Sequence, residues 1–451
     1  MGRLFGTDGV RGVANSPELP PELAFALGHA AARLAAQGRL GGQAGRRPVA
    51  LIGRDTRRSG PMLAHALAAG VQSAGGDVLD LGVVTTPAVA YLTRALGADF
   101  GVVISASHNP AEYNGIKFFS RDGYKLPDAI EDELERLAGE PAGLRPTGAG
   151  VGEARDAHGE ADRYVEYVAG TATADLSGLR IVVDCGHGAA YRLSPAVFRR
   201  LGAEVHVLGD APDGLNINDR CGSTHPEALQ EAVLRLGAHA GIAHDGDADR
   251  CIAVDERGQV VDGDQIMAIC GLDLKARGLL AGDTVVATVM SNLGLELLLK
   301  RHGIRLERTR VGDRYVLERM LEIGAVLGGE QSGHVIFGHL GTTGDGILTG
   351  VQLLSAMVRA GRPLSEMAGQ VERFPQILEN VRVRERDGWQ DRPRIVEAVQ
   401  EAEARLKGRG RVLVRPSGTE PLIRVMLEGP DPVLLEELAA RLREVIAAEL
   451  G

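Results

Sequence analysis

The chain has 451 residues, 44% of them hydrophobic, enough for several buried cores and about three or four domains. Lys plus Arg number 50 against 60 Asp plus Glu, and the net charge of −10 argues against a general nucleic-acid-binding surface. It leaves room for an anionic small molecule, because a local arginine cluster can override the global sign.

The four cysteines, Cys185, Cys221, Cys251 and Cys270, have no metal-ligand spacing and read as reduced thiols of a reducing compartment. The N-terminus has no apolar signal core, and no apolar run approaches membrane-spanning length. The expectation is a cytoplasmic protein with no membrane partner.

In chain order, Gly6-Thr7-Asp8-Gly9-Val10-Arg11-Gly12 comes first; Arg11 there either holds an anion or caps local structure. The Gly- and Arg-rich stretch 38–48 reads as a solvated insertion. A short aliphatic strand is predicted at 49–52, then a helix around 62–67. A second strand, 101–104, runs into Ser105-Ala106-Ser107-His108-Asn109-Pro110, and a third strand, 116–119, follows. The same order recurs at 180–183, 240–243 and 251–254, and again at 284–287, 324–327 and 335–337. The middle strand of each set ends in an unusually polar loop: His244-Asp245-Gly246-Asp247-Ala248-Asp249-Arg250 in the second and Gly328-Gly329-Glu330-Gln331-Ser332-Gly333-His334 in the third. Ligands of open α/β sheets bind beyond the carboxyl ends of strands, so these loops can converge on one cleft. The last segment departs from the pattern. Strands are predicted at 379–384, 411–415 and 422–427, with a helix at 392–406 and a final amphipathic helix carrying Leu434, Leu435, Leu438, Leu442, Val445 and Ile446 on one face.

The expected fold is therefore three similar mixed-sheet α/β domains plus a smaller C-terminal α+β domain around a central cleft. The boundaries are placed at 1–155, 156–260, 261–373 and 374–451, with 139–152 a loose connection near the first of them.

Each polar loop has two readings. Ser107 is either a nucleophile or phosphate carrier displayed at a strand end, or part of an ordinary turn, since Ser, Asn and Pro all favour turns. Asp245, Asp247 and Asp249 alternate, so an extended segment points all three to one side. Carboxylate oxygens suit a hard divalent ion such as Mg²⁺; the alternative is a solvated acidic turn. A calcium EF-hand fails because Arg250 stands where its turn glycine belongs, and zinc lacks a suitable Cys/His set. Arg415-Pro416-Ser417-Gly418-Thr419-Glu420-Pro421, with Arg424 just beyond, offers hydroxyls, backbone N–H groups and guanidinium to a phosphate, or forms a plain Pro/Gly hairpin. Glu330, Ser332 and His334 can read sugar hydroxyls or sit in a turn. Lys117 follows the serine loop closely enough to serve it.

Taken together, these four loops resemble the α-D-phosphohexomutase superfamily over essentially the whole chain. The N-terminal motif, Gln331 and Val311-Gly312-Asp313-Arg314-Tyr315-Val316 resemble its glucosamine branch. The resemblance implies that Ser107 is the phosphoserine and that Asp245, Asp247 and Asp249 hold Mg²⁺ with a phosphoserine oxygen. It implies that Glu330, Ser332 and His334 contact the sugar. Arg415, Ser417, Gly418, Thr419 and Arg424 would grip the phosphate that is not reacting. Arg11, His108, Lys117 and Arg250 would line the reacting centre, with Lys117 favoured over His108 for managing the hydroxyl proton. The reaction implied is interconversion of glucosamine 6-phosphate and glucosamine 1-phosphate through a 1,6-bisphosphate. Close alternatives are a phosphomannomutase or phosphoglucomutase, a phosphotransferase using Asp245 as nucleophile, and a sugar-phosphate sensor. A homodimer is plausible by the same resemblance.

Overall fold

The structure is a computed structural model that describes residues 4–6, 8–140, 143, 145–385, 388–417 and 421–451. The chain divides into two compact units, one formed by residues 1–290 and 304–369, the other by 291–303 and 370–451.

In the first unit the elements run β1 (Val10–Val13), α1 (Pro21–Ala36), β2 (Val49–Arg54), α2 (Gly60–Ser73), β3 (Asp77–Val83), α3 (Thr86–Ala95), β4 (Phe100–Ile104), β5 (Tyr113–Ser120), α4 (Asp128–Ala138) and β6 (Ala154–Asp156). They continue as α5 (Ala161–Gly170), β7 (Arg180–Asp184), α6 (Ala190–Arg200), β8 (Glu204–Leu208), α7 (Glu227–Leu236), β9 (Ala240–Ala243), β10 (Ile252–Asp255) and β11 (Val260–Val261). Then come α8 (Gly263–Ala276) and β12 (Thr284–Thr288). After α9 (Leu293–Arg301), which belongs to the second unit, the first unit resumes with β13 (Arg305–Thr309), α10 (Asp313–Ile323), β14 (Leu327–Gly329), β15 (Val335–Phe337), α11 (Gly346–Ala360) and α12 (Leu364–Ala368).

Three sheets share one wiring. Their strand orders contain β3-β2-β4-β5, β8-β7-β9-β10 and β13-β12-β14-β15. In each the first three strands are parallel and the fourth is antiparallel to the third. Short, fully buried aliphatic strands such as β4 and β9 suit sheets covered by helices. The serine, triple-aspartate and Glu330 loops leave the same position in each sheet, the carboxyl end of β4, β9 and β14. The third middle strand was expected at 324–327 but begins at Leu327. Gly324 adopts φ 69° and closes α10 through its N–H to Met320, so 324–326 is a turn.

Helix starts match their sequence signals. The Thr85 hydroxyl accepts the Ala88 N–H at the start of α3, and Asp262 with Gln265 forms a capping box on α8. The first core packs α1 and α2 against β2, β4 and β5 through Leu27, Leu34, Ile52, Leu67, Phe100 and Ile116. The 38–48 stretch is mostly exposed loop, pinned by Arg46 on Asp99.

The second unit is an antiparallel sheet, β16-β18-β17, made of β16 (Gln376–Arg382), β17 (Arg411–Pro416) and β18 (Leu422–Glu428). Helices α13 (Pro393–Leu406) and α14 (Pro432–Leu450) cover it with Ile395, Leu435, Leu438, Leu442 and Ile446. Asn292 caps α9, and the Leu293 N–H donates to Glu428 on β18 at 2.8 Å.

Candidate active site

Ser107 sits just past β4 with φ 53°, a left-handed conformation that costs a non-glycine residue about 1–2 kcal/mol. Such strain persists where the surroundings over-determine it, and it concentrates at functional sites. The hydroxyl donates to Asp245 at 2.6 Å, and His108 Nδ1 lies 3.4 Å away. The triple-aspartate loop lies directly on the serine loop. A Cβ on Gly246 would come within 2.5 Å of the Ser107 carbonyl oxygen, so only glycine permits that approach.

Asp245, Asp247 and Asp249 each offer an oxygen within 4.8 Å of the others, and all three are buried. Burial and the neighbouring carboxylates push Asp245 well above the usual carboxylate range, and Asp249 rises for the same reasons. Burial works to raise Asp247 too, but the Lys117 ammonium holds it below its ordinary value. Asp247 Oδ1 and Asp249 Oδ1 are buried and accept no hydrogen bond among the described residues. Repelling carboxylates with orphaned oxygens are what a hard divalent cation satisfies, so the donor set fits such an ion.

Lys117, 2% exposed, reaches Asp247 at 2.8 Å, Asp8 at 2.9 Å and Asp249 at 3.8 Å. Burial opposes its charge, but these carboxylates outweigh it and raise the group above its ordinary value. The structure therefore places Lys117 among these carboxylates as a paired ammonium. His108 is pushed down to about 4, chiefly by burial and then by Arg250 and Arg11, and is neutral near pH 7.

Above this floor lies a cavity of about 420 Å³. Ser107, His108, Arg11 and Arg250 line one part of it, and Glu330, His334, Asp313 and Gly312 another. The two loops that meet here are joined by backbone. Arg250 bridges His334, and the Cys251 N–H donates to the Gly333 carbonyl at 2.9 Å. Gly333 has φ 94°, and a Cβ there would come within 2.4 Å of the Cys251 carbonyl oxygen. Glu330 accepts the Gly312 N–H at 3.1 Å. Ser332 is exposed and does not line the cavity.

Four residues escaped the sequence reading. Lys125 ties Asp8 to Asp313, which faces His334 at 3.4 Å, and Thr86 donates to Asp247 at 2.6 Å. Asp8 and Asp313 stand inside motifs singled out above, so their neighbours were the available signal. Lys125 and Thr86 carry no local pattern.

In the second unit Arg415 and Arg424 face each other across β17 and β18. Burial and the opposing Arg424 lower the Arg415 guanidinium. Like charges directly opposite are unfavourable until an anion lies between them. Ser417 is buried at the end of β17, its N–H donating to the Leu422 carbonyl at 2.8 Å. Gly418 and Thr419 lie outside the described residues.

Family models described as phosphoglucomutase/phosphomannomutase alpha/beta/alpha domains I, II and III match residues 2–142, 162–258 and 262–374, and the C-terminal domain matches 378–445. The phosphoglucosamine mutase of Symbiobacterium thermophilum is 68% identical over 452 residues, covering 100% of both chains. That of Moorella thermoacetica is 58% identical over 447 residues, with 99% of each chain covered. This chain belongs to the phosphoglucosamine mutases. Among solved structures, a phosphoglucomutase/phosphomannomutase family protein from Burkholderia thailandensis is 27% identical with a TM-score of 0.79, covering 99% of this chain and 97% of that one. The Aspergillus fumigatus N-acetylphosphoglucosamine mutase, solved with GlcNAc-6P and magnesium, shares the fold at a TM-score of 0.67 and 19% identity, over 99% and 95% of the two chains. Phosphoglucosamine mutases are phosphohexomutases, a metal-dependent family, and the aspartate triad here can hold a metal ion. Among the described residues no helix is long and apolar enough to cross a membrane.

Proposed function

We propose that this phosphoglucosamine mutase interconverts glucosamine 6-phosphate and glucosamine 1-phosphate through phosphorylated Ser107 and a glucosamine 1,6-bisphosphate intermediate. The observation that carries this reading is the Ser107 hydroxyl, 2.6 Å from Asp245 in a three-carboxylate cluster, on the floor of the cavity that Glu330 and His334 also line.

A serine in a strained turn beside buried carboxylates is a poor nucleophile as a free alcohol, but its phosphate ester is a ready phosphoryl donor. Phosphoryl transfer needs in-line positioning and neutralised charge more than covalent help. Mg²⁺ held by Asp245, Asp247 and Asp249 supplies part of that neutralisation when bound. Arg11 and Arg250 line the cavity beside Ser107 and meet the transferring oxygens with guanidinium donors. Lys117 or His108 manages the proton of the attacking sugar hydroxyl, Lys117 being the favoured of the two; His108 lies 3.4 Å from the serine oxygen. Lys117 keeps Asp8 and Asp247 charged and in place. Glu330 and His334 orient the ring, Arg415, Ser417 and Arg424 hold the phosphate that is not reacting, and Gly418 and Thr419 complete that loop. Ser332, exposed beside them, joins the sugar contacts. The bisphosphate turns over, and its other phosphate returns to Ser107. The same reading carries a cytoplasmic location, a role in supplying precursors of cell-wall amino sugars, and a homodimer.

The test is a substrate panel on purified protein phosphorylated at Ser107, with Mg²⁺. Glucosamine phosphates should exceed glucose and mannose phosphates in kcat/KM by about tenfold or more, the discrimination expected when a polar contact is made to the substituent that differs. Faster turnover of glucose 1-phosphate would make the chain a phosphoglucomutase instead.

A further inference from the structure

Arg57, in the loop between β2 and α2, is 1% exposed and lies behind the serine loop. A guanidinium has five N–H donors, and burying it without partners is costly. Here every donor group is engaged. Nε donates to Asp55 at 2.8 Å. Nη1 donates to the carbonyls of Pro110 and, at 2.9 Å, Tyr113. Nη2 donates to the carbonyls of Ser107 at 3.0 Å and Asn109 at 2.8 Å. One side chain thus gathers four carbonyls from the segment 107–113.

The far end of the fork is fixed as well. Asp55 accepts the Arg57 N–H at 2.9 Å and the Ser105 hydroxyl at 2.6 Å. The Ser105 oxygen in turn accepts the Ser107 N–H at 2.9 Å. Both backbone groups of Ser107 therefore lead back to the Asp55–Arg57 pair, the carbonyl directly and the N–H through Ser105. Asn218, from the loop before α7, donates to the same Ser107 carbonyl at 2.9 Å.

This arrangement has a directional consequence. The described peptides are trans, so the C=O of one residue and the N–H of the next point to opposite sides. With the Ser107 carbonyl drawn onto Arg57, the His108 N–H points away from the guanidinium. It makes no hydrogen bond among the described residues. The left-handed φ of Ser107 is held by the same contacts.

We propose that Arg57 is the positioning residue of phosphoryl transfer: its fork fixes the serine loop so that Ser107 Oγ and the His108 N–H both face the reacting phosphate. This rests on the phosphoserine reading above. The His108 N–H is then a preorganised donor to a phosphoryl oxygen, of the kind that stabilises developing charge without reorganisation. The contacts assigned above to the sugar ring and the non-reacting phosphate lie on other loops, so the fork acts on rate more than on substrate affinity.

The experiment compares wild type with Arg57→Lys, which keeps the charge but cannot reach four carbonyls, and with Ser105→Ala, which removes one hydroxyl and keeps the fork. Each is assayed for melting temperature, for Ser107 phosphorylation by glucosamine 1,6-bisphosphate followed by intact mass, and for kcat and KM. A misplacement of about 1 Å can cost about 100-fold in rate, so R57K should lose about 100-fold in kcat and S105A about tenfold, each with KM within about twofold of wild type. Phosphate uptake by Ser107 should slow in parallel. A folded variant whose kcat stays within about twofold of wild type, or whose loss lies in KM alone, overturns the proposal. If R57K does not fold, S105A decides. Wild type that takes no phosphate on Ser107 overturns the phosphoserine reading together with this one.

Discussion

Lys117→Met removes the ammonium beneath the cavity while keeping most of the side-chain length. The lysine lies 2.8 Å from Asp247, 2.9 Å from Asp8 and 3.8 Å from Asp249; Asp8 keeps Lys125 and Arg11, whereas Asp247 loses its close cation. Removing one partner of a buried ion pair typically costs about 3–5 kcal/mol, because the other charge stays buried and uncompensated. Proton uptake by the abandoned carboxylates limits the loss, at about 1.4 kcal/mol for each pH unit by which a pKa must rise. At roughly 2 °C per kcal/mol for a unit of this size, the variant should melt about 6–10 °C below wild type in excess chelator. Saturating Mg²⁺ stabilises wild type by about 2.7 kcal/mol when present at about 100 times its Kd. In the variant the ion also replaces the missing ammonium, so Mg²⁺ should close at least half of the gap. Thermal unfolding of both proteins, in chelator and in Mg²⁺, reads this directly. A variant melting with wild type in chelator, or equal Mg²⁺ shifts in both, would show that Lys117 and the metal do not share these carboxylates.

The buried pair Tyr164–Asp345 sets a pH dependence. The Tyr164 hydroxyl lies 2.8 Å from both Asp345 oxygens, and burial first of all raises Asp345 from 3.8 to about 6. The folded chain keeps that proton in a range where the unfolded chain has lost it. Unfolding therefore releases a proton between pH 4 and 6, and stability falls as pH rises through that window, by on the order of 3 kcal/mol. Asp345→Asn should flatten this slope in denaturant titrations, and an unchanged slope would exclude the assignment. Gly246→Ala pushes a methyl group to 2.5 Å from the Ser107 carbonyl oxygen. It should cost about 1–3 kcal/mol in stability and about tenfold or more in kcat; wild-type kinetics would mean that the two loops need no close contact. Arg424→Ala removes one of the two opposed guanidiniums and should raise KM for both sugar phosphates by about tenfold or more, roughly the loss of one charge-assisted hydrogen bond. An unchanged KM would remove the phosphate-grip role.

Much of the fold was legible because its signals are local. Short aliphatic runs between polar loops marked β2, β4, β7, β9 and β12 to within one or two residues, and their repetition gave the shared wiring of three sheets. The misplaced start of β14 came from reading Gly324 as part of a strand, when its positive φ ends a helix. The site was legible where several reactive residues crowd one loop, as around Ser107 and Asp245. It was not legible where a residue acts through a distant partner. Arg57 works on carbonyls about fifty residues away, and backbone acceptors leave no mark in a sequence. Lys125 gains its place only by lying between Asp8 and Asp313, from opposite ends of the first unit. Lys117 shows the converse limit. Its place just after the serine loop was legible, but its ion pairs with Asp8, Asp247 and Asp249 show only in the fold.

The most direct measurement follows the phosphoryl group itself. Protein carrying radiolabelled phosphate on Ser107 is mixed with unlabelled glucosamine 6-phosphate and Mg²⁺, and the label is traced over single turnovers. Label passing from the protein into glucosamine 1,6-bisphosphate, and then into the monophosphates, is the expected result. Isomerisation with the label still on Ser107 would contradict the phosphoserine mechanism.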